Sequence, residues 1–148
     1  MDTNTASDLV MEALAHAVAG DADEATVALM TLGQQGDGNL MYGVCCALAS
    51  AGEHGLRTVY GDRAPRRENG DMWVMQELAP SSLSEDPPKA FAMRFVVAYA
   101  NRDMPACLAL YEAAFKASDE EYADSICALL AEVAGVLRLA REQREKRT

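Results

Sequence analysis

The run DADEATVALMTLGQQGDGNLMYGVCCALASA, residues 21–51, decides how the chain reads. Asp21 and Glu24 form a pair of the capping-box kind, and Ala25, Ala28, Leu29 and Leu32 then fall on one helical face. Gly33, Gly36 and Gly38 punctuate a turn. The pattern resumes with Leu40, Val44, Ala47, Leu48 and Ala51, spaced i, i+4, i+7, i+8 and i+11. That is the period of a helix, because a half-buried strand alternates every second residue. Two helices joined by a glycine turn are predicted.

Outward from this run the same signals recur. Upstream, Val10, Leu14 and Val18 predict a helix from about Asp8 to Ala19 with Ser7 as N-cap. Downstream, Asp86-Pro87-Pro88 opens a fourth helix, with proline in the first turn where its missing N–H costs nothing; Phe91, Phe95, Ala98 and Tyr99 form its stripe. Asp103 caps a fifth, in which Cys107, Leu110, Tyr111 and Ala114 face inward. Ser118 and Glu121 make a capping box for a sixth, carrying Tyr122, Ile126, Leu129, Leu130, Val133 and Leu137. Gly135 within it suggests a close helix crossing. The fold class predicted is all-α: a six-helix, helical-repeat-like array.

A shift of 82 residues superimposes two halves of that array. It places Asp21 on Asp103, Asp37 on Asp119, Cys45 on Cys127 and Ala49 on Ala131, and each apolar stripe on its counterpart. Identities are few, so the agreement of caps and stripes carries the reading of two related three-helix units, 7–52 and 86–140, within a single helical domain 1–148. An irregular linker, 53–85, joins them, and a basic tail, 141–148, is expected to fray. In each unit a small or polar turn (Gly20-Asp21, Arg102-Asp103) precedes a small residue (Ala25, Cys107) and then a large apolar one (Leu29, Tyr111). In outline this resembles a tetratricopeptide helix-turn-helix over about 25 residues per unit. The family's Trp and Pro marks are absent, Ala98 stands where an aromatic is expected, and 82 is not the family's period of 34. The resemblance implies the packing style of helical repeats.

Within the linker, Arg57-Thr58-Val59-Tyr60 and Met72-Trp73-Val74-Met75 read as two short strands across GDRAPRRENGD, so a β-hairpin or extended insertion is expected. A short helix over Met72 to Leu78 is the alternative.

Composition sets the outer bounds. Of 148 residues 50% are hydrophobic, 27 are alanine, and glycine and proline together supply 15, a mixture that favours helices over a β-sandwich. No run of 18 apolar residues offers a membrane span, and MDTNTASDLV has no basic stretch followed by an apolar one, so a cytoplasmic location away from membranes is expected. The net charge of −10 is unevenly spread: residues 1–56 carry eight carboxylates and no Lys or Arg, whereas 57–70 and 138–148 are net basic, +2 and +3. An acidic body argues against direct nucleic-acid binding. Cys45, Cys46, Cys107 and Cys127 lack metal-site spacing and read as reduced thiols acting as small hydrophobes.

Few constellations carry chemistry. The Gly33-x-x-Gly36-x-Gly38 run follows no strand and lacks the spacing of a nucleotide-binding loop. His16 and His54, the two imidazoles, belong to no catalytic motif. Asp119, Glu120, Glu121 and Asp124 suit the positive end of a helix dipole. No catalytic residue, cofactor site or metal site is therefore predicted. The candidate interface is Arg63, Arg66 and Arg67 with Trp73, residue types that recur at interface hot spots. The competing view is that Trp73 fills the seam between the units while the arginines offset the acidic body. Function is expected to be that of a non-enzymatic helical adaptor or accessory protein binding another protein, a role compatible with homodimer formation. Two further readings are an acidic, nucleic-acid-mimicking inhibitor of a DNA- or RNA-binding protein, and an enzyme with a carboxylate-based site.

Overall fold

A computed structural model describes residues 1–76 and 82–147. Six helices account for most of them: α1 (Thr3–Ala19), α2 (Ala22–Gln35), α3 (Gly38–Tyr60), α4 (Pro87–Ala100), α5 (Met104–Lys116) and α6 (Asp119–Arg147). No β-strand occurs among the described residues, and no helix is long and apolar enough to cross a membrane.

Short polar side chains start the helices by taking up otherwise unpaired backbone N–H groups. Asp37 Oδ1 accepts from Leu40 N at 2.8 Å, Asp86 Oδ1 from Lys89 N at 3.2 Å, Asp103 Oδ1 from Ala106 N at 3.2 Å and Ser118 Oγ from Glu121 N at 3.1 Å. At α1 the cap is Asp2, bonded to Thr5 N at 2.8 Å, in place of the expected Ser7. The extra turn buries Ala6, so nothing favours the later start. Asp21 precedes α2 without a capping bond; its carboxylate lies 3.7 Å from His16 Nδ1 instead.

The two central helices, α3 and α6, run side by side in the same direction. Gly52 faces Val133, Gly55 faces Val136 and Leu137, and Gly61 meets Arg147. Helix α4 packs on both, α1 packs on α6, and α2 and α5 form the outer members of hairpins with α1 and α4. Leu32, Cys45, Leu48, Phe95, Cys107, Leu129 and Val133 are fully buried at the centre. Cys127 is exposed, unlike the small hydrophobe expected there, and Ala47 also faces outward. The close crossing expected at Gly135 is made on the other helix: Gly135 has open space around it, whereas Gly52 and Gly55 let α3 approach α6.

The hairpin expected in the linker is corrected. Arg57 to Tyr60 form the last turn of α3 and not a strand, so there is no hairpin. The buried face continues through Gly52, Glu53 and Gly55 against α6, and Thr58 Oγ1 bonds back to His54 O at 3.2 Å, so tertiary packing overrides the β-branched preference. Met72 to Met75 are neither helix nor strand, and Glu77 and Leu78 lie outside the described residues. The basic tail is helical as far as Arg147; its Arg, Glu, Gln and Lys residues are strong helix formers, and cations suit the last turn of a helix.

The shift of 82 residues also relates the turns between the hairpin helices. Gly20 N donates to Ala17 O and Asp21 N to His16 O; 82 positions on, Arg102 N donates to Tyr99 O and Asp103 N to Ala98 O. Gly20 and Arg102 both have positive φ, 87° and 61°.

The glycines predict opposite responses. A Cβ on Gly55 would lie 2.8 Å from Val136 Cγ1, so Gly55→Ala should destabilise by about 1–3 kcal/mol through overpacking. Gly135→Ala meets nothing and should stabilise by roughly 1 kcal/mol. Chemical denaturation of both variants checks the pair. Burial also pushes the Cys107 thiol up to about 11 and the Tyr42 hydroxyl up to about 12, and raises Cys45 and Tyr111. Their ordinary values are 9.0 and 10.0, so the folded chain keeps protons that the unfolded chain releases. Their contribution is complete below about pH 9 and is lost as pH rises through 11 to 12. Denaturant midpoints should fall steadily over that window; a midpoint flat to pH 11 would contradict the assignment.

Candidate protein-binding surface

The arginine-rich segment follows α3 as a closed loop. Two short 3-10 turns, Gly61–Arg63 and Arg67–Asn69, are separated by Ala64, Pro65 and Arg66. Arg66 N donates to Asp71 Oδ2 and Asp71 N to Arg66 O, each at 3.2 Å, which ties the second turn shut. Arg57, at the end of α3, donates to Pro65 O at 3.1 Å and so fixes the loop to its helix. Arg63, Arg66 and Arg67 are exposed on this ring, and no ion pair among the described residues engages them. The end of α6 reaches the same place: Arg147 Nη2 would lie 2.9 Å from a Cβ on Gly61. The two basic stretches of an otherwise acidic chain, 57–70 and 138–148, therefore meet.

Trp73 sits next to the loop on the extended segment that leaves it. Its backbone N–H donates to Asn101 Oδ1 at 2.7 Å and its C=O accepts from Asn101 Nδ2 at 3.0 Å, so one side-chain amide at the end of α4 does the work of a neighbouring strand. The indole meets Tyr60 edge-on at 5.5 Å, and the guanidinium over it is that of Arg57, at 5.9 Å. None of the three predicted arginines stacks on Trp73. The link is Tyr60, which carries Arg63 at 5.7 Å as well as touching Trp73. Trp73 lines a cavity of about 180 Å³ between α3, α4 and α6. Its indole N–H is buried with no acceptor among the described residues. Met72 and Val74, on either side, are 63% and 78% exposed.

A buried carboxylate fastens this end of the molecule. Glu53 Oε1 accepts from Arg102 Nη1 at 2.8 Å, and Oε2 lies 3.5 Å from Arg57 Nη2. Arg102 also donates to Tyr99 O at 3.0 Å and lies 5.5 Å over the Tyr99 ring; the bond to Glu53 holds its guanidinium above the usual value. Left-handed backbone costs a non-glycine residue about 1–2 kcal/mol, which these contacts offset at Arg102. Glu53, Asn101, Arg102 and Arg147 were missed in the sequence. For Glu53 the signal was present: it lies four residues beyond Ala49, on the buried stripe of α3, where a carboxylate needs partners.

No three His, Cys, Asp or Glu side chains among the described residues are grouped to hold a metal ion. Comparison with protein-family models, curated proteins and solved structures gives no match.

The buried indole N–H, without an acceptor among the described residues, predicts how Trp73 responds to substitution. Trp73→Ala should destabilise by about 2 kcal/mol, less than a fully buried tryptophan because the residue is half-exposed. Trp73→Phe keeps a ring against Tyr60 and removes a buried donor that has no acceptor among the described residues, so its cost should stay under about 1 kcal/mol. Thermal or urea unfolding of the two variants makes the comparison, and equal losses would contradict it.

Proposed function

We propose that the chain is a non-enzymatic helical adaptor that binds another protein through the end where its two basic segments meet. The observation that carries this reading is the convergence of Arg63, Arg66, Arg67 and Arg147 beside an anchored tryptophan and the exposed Tyr60, Met72 and Val74. Arginine, tryptophan and tyrosine are the residue types that dominate protein interfaces energetically. Trp73 and its neighbours are held in place before any partner arrives, which lowers the ordering cost of association. The exposed guanidinium groups suit carboxylates on the partner, each able to take two parallel hydrogen bonds.

The test is affinity capture from a lysate of the source cells with the native chain and with an Arg63→Ser, Arg66→Ser, Arg67→Ser variant. A stoichiometric protein retained at high salt by the native chain and lost by the variant is expected. The base-free stretch 1–56 supports the acidic-inhibitor reading as the second candidate. Under that reading the captured species is a nucleic-acid-binding protein, released by salt and indifferent to the arginine changes. Turnover of a substrate, abolished by a single carboxylate substitution, would replace both readings with the enzyme.

A further inference from the structure

Glu132 on α6 differs in one respect from Glu53 on α3. Glu53 is buried and takes guanidinium groups from Arg102 at 2.8 Å and Arg57 at 3.5 Å. Glu132 is partly buried, yet no hydrogen bond or ion pair among the described residues reaches it. Its own helix offers no cation, because Ala128, Leu129, Gly135 and Val136 occupy the positions three and four residues away. Residues 77–81, ELAPS in sequence, contain no Lys or Arg either. A carboxylate drawn partly out of water is costly unless a counter-charge or hydrogen bonds meet it.

Glu132 lines the cavity of about 180 Å³ between α3, α4 and α6, and it is the one charged residue among the described residues that do. The rest of the wall is apolar or aromatic, with Leu56 and Tyr60 from α3, Met93 and Val97 from α4 and Val136 from α6. Trp73 and Val74 add the extended segment to it, held in place by the bonds of 2.7 and 3.0 Å between Trp73 and Asn101. The wall is therefore formed before any ligand arrives. Arg57, whose guanidinium lies 5.9 Å over the Trp73 ring, is held by Glu53 and does not line the cavity. An apolar cavity of about 150 Å³ takes up benzene, so this one admits a small ring and the start of a chain.

We propose that this cavity binds a small organic ammonium ion, its apolar body among Leu56, Met93 and Val97 and its charged end at Glu132. The ligand class follows from the lining. A hydrocarbon would leave the carboxylate without a partner, and an organic acid would bring a second negative charge beside it. A metal ion is unsuited, because one carboxylate among apolar side chains supplies too few ligands. A primary amine is protonated at neutral pH, as lysine is, and its N–H groups donate to the carboxylate while its body displaces water from the apolar wall. The site uses none of Arg63, Arg66 and Arg67, so it goes beyond the adaptor reading, although Tyr60 and Trp73 belong to both.

The probe is phenethylamine, titrated into the full chain and followed by the fluorescence of Trp73, its single tryptophan, with calorimetry as a second readout. Two controls keep the ring and change the charge: phenethyl alcohol, which is neutral, and phenylacetate, which is anionic. The amine is expected to bind saturably and at least about tenfold tighter than either control. Glu132→Gln, which keeps the shape and removes the charge, should weaken the amine by at least about tenfold and leave the alcohol within about twofold of its native value. Val97→Phe, which fills the cavity, should weaken amine and alcohol alike with unchanged circular dichroism, and Met93→Phe serves if Val97→Phe fails to fold. The Arg63→Ser, Arg66→Ser, Arg67→Ser variant should bind the amine like the native chain, so this site and the adaptor surface succeed or fail separately. Equal binding of amine and alcohol, or amine binding unchanged in Glu132→Gln, would overturn the ammonium assignment. The absence of saturable binding up to about 10 mM, or binding unaffected by both cavity variants, would overturn the site itself.

Discussion

The architecture depends on how closely α3 can approach α6. Two glycines on α3, Gly52 and Gly55, remove the side chains that would hold the backbones apart, and the valines of α6 fill the space. With that contact made, the pair presents a continuous surface on which α4 rests, and α6 receives α1 on another side. The same contact lines up the helix ends. Both C-termini finish at the arginine loop, where partial negative charge from two helix dipoles gathers, and where most of the positive charge of an acidic chain is found. The basic segments therefore have an electrostatic use within the fold as well as toward a partner.

Helices with strong local signals were legible in the sequence. Asp86, Asp103 and Ser118 cap where short polar residues before apolar periods indicate, because the capping bond is made within three residues and needs no tertiary information. What was misread depended on distant neighbours. Arg57 to Tyr60 have strand-like composition, yet α6 gives their helix a surface to pack on. Gly135 marked a close crossing on the wrong helix, since spacing shows that a glycine is present but not which helix faces it.

The candidate surface was legible in composition but not in arrangement. Arg63, Arg66, Arg67 and Trp73 do occupy one region, but their connection runs through Tyr60, Arg57 and Asn101, residues 28 positions apart in the case of Asn101 and Trp73. Cys45 and Cys127 are a clearer instance: both read as small hydrophobes in the sequence, yet one is buried and the other exposed, because helices distant in the chain decide which is covered.

The place of α6 among its neighbours has a kinetic consequence. Arg138 bonds to Ala17 across 121 residues, and the apolar faces of α1 and α3 are both completed by this helix. During synthesis the first three helices emerge with their inner faces uncovered, and they stay so until α6 has left the ribosome. Helical proteins usually fold fast because their contacts are local; here the decisive contacts span most of the sequence, so loop closure comes before the main gain from burial. Until then the exposed stripes of the nascent first half are surfaces that a chaperone would recognise.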